Sequence, residues 1–138
     1  LLQQKFPKTP AFEADLEYEG FFSANQAFFP DPSQFAISFC AIASPQRFVS
    51  EVASRLPKLE HFKSFSDHHR YTKQDVEQIR LRAEELGTQT VITTDKDWFK
   101  VAPLFEGSQL RLVSLRQVYH LKAEFWDWLY AKLGRSVA

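Results

Sequence analysis

Adjacent acid and imidazole side chains in the middle of the sequence are the clearest candidates for proton chemistry. Asp67, His68 and His69 follow one another directly. Histidine exchanges a proton near neutral pH, and a neighbouring carboxylate can fix its tautomer and raise its basicity. Because neighbouring residues on an extended chain point to opposite sides, we expect one histidine to face a cleft and the other to pack or cap a helix. The triplet alone leaves catalytic and structural roles equally open.

A second candidate segment, Thr93–Asp97, combines hydroxyl and carboxylate side chains with one lysine. We expect Thr94 to cap a helix that begins with Asp95, since acids favour the positive end of a helix. Amide groups at a helix N-terminus attract anions, and Lys96 adds a positive charge beside them. The alternative is a well-capped helix whose charged side chains are only solvated.

Motifs for metal ions and phosphate groups are weaker in this sequence. Asp and His can ligate zinc or manganese, but a closed site needs three or four ligands, and neither His61 nor His120 is placed to complete one. We therefore expect no metal site within this chain alone. A phosphate-binding P-loop requires G-x-x-x-x-G-K-[ST], and the chain lacks one because its glycines are isolated. These glycines are Gly20, Gly87, Gly107 and Gly134.

Strands and helices that alternate along the chain must position these residues. A nearly continuous apolar run typical of a buried strand occupies residues 35–42, and further strands are expected at about residues 61–65, 91–92 and 110–113. Helices are expected after the caps Ser44, Thr72 and Thr94, and a last helix over residues 123–133. This alternation predicts an α/β fold, with a mostly parallel three-layer α/β/α sheet and right-handed crossovers.

The N-terminal part of the chain has a different pattern. Residues 12–18 alternate strictly between apolar and acidic side chains, which predicts a strand with one dry and one wet face. Gly20 then predicts a turn into a returning strand, so we expect an antiparallel strand or hairpin ribbon here. We expect residues 1–33 to be linker and ribbon, and residues 34–138 to be the α/β domain.

The predicted topology brings the candidate residues together. In a parallel sheet, ligands bind beyond the carboxyl ends of the strands, in the loops that lead into helices. Three such loops, 43–44, 66–71 and 93–96, contain most of the polar side chains in question. We therefore expect them to converge on one site at one edge of the sheet.

Composition limits the classes of function. Seventeen basic residues balance seventeen acidic ones, whereas nucleic-acid binders usually have a basic excess. No window approaches the roughly 18 consecutive apolar residues that a transmembrane helix needs. Cys40 is the one cysteine and lies in an apolar run, so we expect a buried thiol and no internal disulfide. Because the chain begins with Leu1 and contains no methionine, we interpret it as cut from a longer protein.

Three segments on successive loops read FCAIASPQRF (39–48), FSDHHRYT (65–72) and TTDKD (93–97). In this order they resemble the motifs F-C-G-I-A-x-P-x-x-F, F-P-D-H-H-x-Y-T and T-T-E-K-D of the tetraacyldisaccharide 4'-kinase family. That family phosphorylates the lipid A precursor of Gram-negative bacteria, and the likeness covers most of residues 12–115. Ala41 replaces the glycine of the first motif, and its Cβ limits how closely a ligand and the backbone can approach each other there.

The resemblance implies that this chain is the C-terminal part of a two-domain enzyme. The N-terminal domain of such an enzyme carries the P-loop, the Mg²⁺ site and a catalytic aspartate, so ATP and Mg²⁺ are expected to bind mainly there. A histidine of the C-terminal domain pairs with that aspartate, and we assign this role to His68, with Asp67 beside it. Residues expected on the nucleotide or substrate side are His69, Arg70, Tyr71, Thr94, Asp95 and Lys96.

The implied partners are the N-terminal P-loop domain, ATP and the disaccharide lipid, and the implied location is the cytoplasmic face of the inner membrane. By itself, the chain is expected to be inactive. Two other functions stay open: a non-catalytic binding or scaffold module of the same fold, and a metal-dependent Asp-His-His phosphoesterase. The phosphoesterase would need further aspartates to hold two metal ions, and Asp95 and Asp97 are the only near candidates.

Overall fold

The computed structural model describes residues 2–134, and helices and strands alternate as expected from residue 36 on. The elements are α1 (Leu2–Lys5), β1 (Ala14–Ser23), β2 (Gln26–Phe28), β3 (Ala36–Cys40), α2 (Pro45–Arg55), β4 (Leu59–Ser64), α3 (Lys73–Leu86), β5 (Thr90–Thr94), α4 (Asp95–Phe105), β6 (Arg111–Leu121) and α5 (Ala123–Lys132). The strands form one mixed sheet in the order β2-β1-β6-β5-β3-β4.

The sheet is mostly parallel. Strand β3 pairs in parallel with β4 on one side and with β5 on the other, and β5 pairs in parallel with β6. Strands β1 and β2 form an antiparallel hairpin. The predicted fold class, a mostly parallel α/β sheet with an N-terminal antiparallel ribbon, is confirmed.

Helices cover both faces of the parallel strands. Ile37 and Phe39 of β3 join an apolar cluster with α3 and α4, whereas Ala36 and Cys40 join a second cluster with α2. Across the sheet, the connection from β3 to β4 runs toward one edge. The connections from β4 to β5 and from β5 to β6 run toward the other edge. Right-handed crossovers in opposite directions place their helices on opposite faces, which accounts for the three layers.

The ends of α3 follow the predicted capping chemistry, whereas Ser44 stands at the N-cap of α2 but its side chain forms no cap hydrogen bond. The Thr72 hydroxyl accepts a hydrogen bond from the Asp75 amide at 3.2 Å, and the Asp75 carboxylate accepts one from the Thr72 amide at 2.8 Å. This reciprocal pair is a capping box, and it satisfies two amide groups that the first turn of α3 leaves unpaired. At the other end of α3, Gly87 has φ 67°, a left-handed conformation that glycine adopts with the least strain.

The expected turn at Gly20 is wrong. Strand β1 continues through Gly20 to Ser23, because Phe21 pairs directly with Phe28 of β2. The chain reverses instead at Ala24 and Asn25, which have φ values of 47° and 67°. Positive φ at both central residues suits the twist of a two-residue hairpin, but alanine is an unusual choice there, so the sequence does not reveal the turn.

A β-bulge interrupts the pairing of β3 with β4. Ser38 pairs with His61 but Phe39 pairs with Lys63, so Phe62 is the extra residue. The bulge allows His61 to contact two hydroxyls: its Nδ1 lies 2.9 Å from the Ser38 Oγ and its Nε2 lies 2.8 Å from the Ser64 Oγ. Burial lowers the pKa of His61.

The chain divides into two compact units, one formed by residues up to Glu17 together with those from Val118 on, the other by Tyr18–Gln117. In the first unit, the Phe12 ring packs against Phe125 of α5 at a centroid distance of 5.4 Å. All the candidate site residues lie in the second unit. Within the described residues, no helix is long and apolar enough to cross a membrane.

Candidate functional site

The candidate residues lie beyond the carboxyl ends of the parallel strands. Since β3, β4 and β5 run in the same direction, the loops that follow them emerge at one edge of the sheet. The chain leaves β3 toward β4 on one side and leaves β5 toward β6 on the other. The space between β3 and β5 is therefore a topological switch point, where ligands of open α/β sheets bind.

Two of the loops are joined by an ion pair between Asp67 and Lys96. The Lys96 Nζ lies 3.4 Å from the Asp67 Oδ1, and both side chains are partly exposed. Loss of hydration raises the pKa of Asp67, but the contacts with Lys96 and His68 outweigh it and lower the pKa overall. The structure thus brings the β4–α3 loop (66–71) and the start of α4 together, as the topology predicted.

His68 is presented to solvent. Its side chain is 79% exposed, and its Nε2 lies 3.5 Å from the Asp67 Oδ2. Its backbone has φ 62°, and its amide donates a 3.0 Å hydrogen bond to the Asp67 Oδ1. A left-handed conformation is uncommon outside glycine and is found preferentially at functional sites, where surrounding contacts stabilise it.

His69 has the opposite environment. Its Nε2 lies 2.9 Å from the Asp75 Oδ2, and its ring stacks on Phe65 at a centroid distance of 4.5 Å. Burial raises the pKa of Asp75, but the hydrogen bonds from His69 and Thr72 outweigh it and lower the pKa overall. Of the two neighbouring histidines, His69 therefore supports the capping box of α3, and His68 is the one available to a partner.

Arg70 and Tyr71 complete the β4–α3 loop. Arg70 is exposed and directly follows His69 in the chain. Tyr71 points inward, with ring centroids 5.4 Å from those of both Phe39 and Phe65. Burial raises the pKa of Tyr71 far above its ordinary value, and the nearby carboxylate of Asp97 raises it further. Tyr71 thus anchors the end of the loop in the apolar core with its hydroxyl protonated.

The first residues of α4 serve different purposes. The Thr94 hydroxyl accepts a 3.0 Å hydrogen bond from the Asp97 amide and so caps the helix, as predicted. Asp95 turns toward β6, where it accepts hydrogen bonds from the Ser114 hydroxyl at 2.6 Å and the Gln117 amide at 3.2 Å. Asp95 therefore fastens α4 to β6, and Lys96 is the residue of this turn that contacts the β4–α3 loop.

One residue of this region was missed by the sequence interpretation. Asp97 is fully buried, and its Oδ2 accepts hydrogen bonds from the Ala41 amide and the Thr94 hydroxyl, each at 2.8 Å. It closes the TTDKD segment, but its acidic type at a helix start suggested only a favourable charge. The bond to Ala41 spans 56 positions of sequence, so no local pattern indicates it.

Residues 2–134 contain no group of three or more His, Cys, Asp or Glu side chains arranged to hold a metal ion. Cys40 is buried as expected, and burial raises the pKa of its thiol. The polar groups at this edge of the sheet include the exposed His68 imidazole, the Asp67–Lys96 ion pair and the exposed Arg70 guanidinium. Buried hydrogen bonds of Asp97 support them.

Comparison with known proteins points to one family. A sequence model of the family described as tetraacyldisaccharide-1-P 4'-kinase matches residues 3–134. The tetraacyldisaccharide 4'-kinase of Desulfotalea psychrophila is 34% identical over 125 residues, which are 90% of this chain and 35% of that protein. The enzyme of the same name from Pelodictyon phaeoclathratiforme is 30% identical over 105 residues, 76% of this chain and 29% of that protein.

The chain thus spans about a third of the length of these curated relatives. No solved structure gives a significant match to it.

Proposed function

The chain belongs to the tetraacyldisaccharide-1-P 4'-kinase family, and we propose that it is the C-terminal part of an ATP-dependent kinase. In this proposal the complete protein phosphorylates the 4'-hydroxyl of the tetraacyldisaccharide 1-phosphate precursor of lipid A. The part that binds ATP and Mg²⁺ precedes this chain and works at the cytoplasmic face of the inner membrane.

The position of His68 is the observation that carries the proposal. The imidazole is exposed at the switch-point edge of the sheet, and Asp67 lies against it. An exposed histidine at this edge is suited to meet a carboxylate that another domain delivers. The buried and hydrogen-bonded His69 is not available for that role.

Phosphoryl transfer depends mainly on positioning and charge stabilisation, and the chain offers groups for both. In the proposed reaction, His68 orients the carboxylate that accepts the proton of the attacking hydroxyl. Asp67 limits the rotation of the His68 ring and holds Lys96 at 3.4 Å. Lys96 and Arg70 supply positive charge to the phosphate groups as the two domains close.

We assign binding of the nucleotide and its metal ion to the preceding domain. The sequence contains no P-loop motif, and the described residues contain no acidic cluster for Mg²⁺. Mg²⁺ would supply positive charge that neutralises the phosphate groups, and we assign its ligands to the preceding domain. This chain contributes the His68 imidazole and the charged side chains of Asp67, Lys96 and Arg70.

The test is a transfer assay with the complete gene product. Incubation with γ-labelled ATP and the disaccharide lipid should label the 4'-position, and a lipid already phosphorylated there should stay unlabelled. The 138-residue chain alone should give no transfer. Binding of the lipid by the isolated chain, with no transfer by the complete product, would favour the non-catalytic module instead.

A further inference from the structure

Asp97 is the most unusual charged residue of the structure. Its side chain is fully buried, and among residues 2–134 it forms no salt bridge. Its hydrogen-bond donors are neutral: the Ala41 amide and the Thr94 hydroxyl. Burying a carboxylate without a cation is costly even when it is hydrogen-bonded. The stability of one helix does not explain why the Asp97 carboxylate is buried at this cost in free energy.

Capping explains only part of this arrangement. An acid in the first turn of α4 suits the helix dipole, and the Asp97 amide completes the cap on Thr94. Both effects would operate equally well if the carboxylate were exposed at the helix surface. Neither accounts for the hydrogen bond to Ala41, which belongs to the loop after β3.

The carboxylate is hydrogen-bonded to two of the three loops of the switch-point edge and acts electrostatically on a residue of the third. It accepts from Ala41 after β3 and from Thr94 at the end of β5, and its charge raises the pKa of Tyr71 at the end of the β4–α3 loop. These are also the three segments that carry the family-like motifs. Asp97 is thus the point at which the three segments meet inside the protein.

The positions of His68 and Lys96 depend on this meeting point. Lys96 precedes Asp97 in the same helical turn and holds Asp67. The β4–α3 loop is anchored inside the protein at Tyr71, whose ring packs against Phe39 and Phe65 and whose pKa the Asp97 carboxylate raises. His68 lies between these two anchors in a left-handed conformation that the loop must maintain. A shift of the Asp97 carboxylate would therefore move both ends of the segment that presents His68.

We propose that Asp97 is a positioning residue for phosphoryl transfer, which fixes the three loops so that His68 and Lys96 keep the spacing the reaction needs. This inference rests on the proposed kinase function. Asp97 acts through its acceptor oxygen and never touches the substrate. Displacement of reacting groups by about 1 Å can cost on the order of 100-fold in rate, so indirect positioning has measurable consequences.

The experiment compares three variants of the complete enzyme. Asp97→Ala should lower kcat by about tenfold or more while KM for ATP changes much less, because the reacting geometry is lost rather than the nucleotide site. Asp97→Asn should keep most of the activity, since its amide oxygen can accept the same two hydrogen bonds. Val101→Ala, at a buried position of α4 away from the loops, is the control for a general loss of stability.

A second readout uses the 138-residue chain and is independent of catalysis. Hydrogen exchange at the Ala41 amide should be slow in the wild type and in Asp97→Asn, and fast in Asp97→Ala. If Asp97→Ala does not fold, Asp97→Ser replaces it, because serine stays polar at the helix start but is too short to reach Ala41. The same loss of kcat is expected for it.

The outcomes separate this inference from the proposed function. Wild-type kcat in Asp97→Ala, or equal losses in Asp97→Ala and Val101→Ala, would overturn the positioning role while leaving the kinase assignment intact. Loss of kcat in Asp97→Asn equal to that in Asp97→Ala would also overturn it, since the acceptor oxygen would then not suffice. Absence of transfer by the wild-type complete enzyme would refute the kinase assignment itself.

Discussion

At the residue scale, two neighbouring histidines have opposite environments. The sequence predicts that His68 and His69 differ, because adjacent side chains of an extended segment point apart. It cannot predict which one is exposed, since that depends on the left-handed backbone of His68 and on the contact of His69 with Asp75. Asp97 was missed for a similar reason, because its partner Ala41 is distant in sequence.

The different environments predict different effects on stability. His69→Ala should lower the free energy of unfolding by about 1–3 kcal/mol, since it removes a hydrogen bond to a carboxylate and the stacking on Phe65. His68→Ala should stay within about 0.5 kcal/mol of the wild type, because the ring is exposed. Urea denaturation of the 138-residue chain measures both. Equal losses in the two variants would contradict this division of roles.

His61 predicts a pH dependence of stability. Burial lowers its pKa below the ordinary value of 6.5, so the unfolded chain binds this proton at a higher pH than the folded chain does. Stability should therefore fall as the pH drops below about 6.5, and the fall should end once the pH passes the lower folded-state pKa.

The comparison that isolates this effect is His61→Gln, which stays polar but cannot titrate. Urea denaturation between about pH 7 and pH 5.5 should give a shallower loss of stability for the variant than for the wild type. Parallel losses in the two proteins would show that His61 does not contribute.

At the element scale, the observed helices and strands agree with the sequence prediction wherever one residue type dictates the local structure. The apolar runs, the caps Thr72 and Thr94 and the Gly87 helix end were predictable because each depends on neighbouring residues alone. The Ser44 side chain does not form the cap hydrogen bond that its position predicts. The hairpin turn was not, because Ala24 and Asn25 adopt positive φ without the glycine that usually signals it. The bulge at Phe62 was also hidden, since it is defined by pairing with β3.

Gly87 offers a clean test of the helix end. A Cβ added there would meet no other atom within 4 Å, so Gly87→Ala changes only the backbone preference. With φ at 67°, the variant should lose about 1 kcal/mol of stability, and Gly87→Asn should lose less because asparagine tolerates this region. Thermal unfolding of both variants gives the comparison. An unchanged Gly87→Ala would mean that the helix end rearranges.

At the scale of the whole molecule, the order of the strands determines which loops lie together, and no single sequence motif does so. The switch between β3 and β5 brings segments far apart in sequence to one edge, where Asp67 meets Lys96. The sequence predicted this convergence, since parallel strands send their following loops the same way. It could not show the buried hydrogen bonds beneath the edge, because those depend on how α4 packs against β3.

The turnover of His68→Ala in the complete enzyme tests the proposed role of His68 most directly. We predict a fall of about 100-fold or more in kcat for transfer to the lipid, the scale of a lost proton-handling group, with unchanged thermal stability. His120→Ala is the matched control, because that histidine is also exposed and lies 3.2 Å from a carboxylate, that of Glu17. Turnover close to the wild type in His68→Ala, or an equal fall in His120→Ala, would contradict the account.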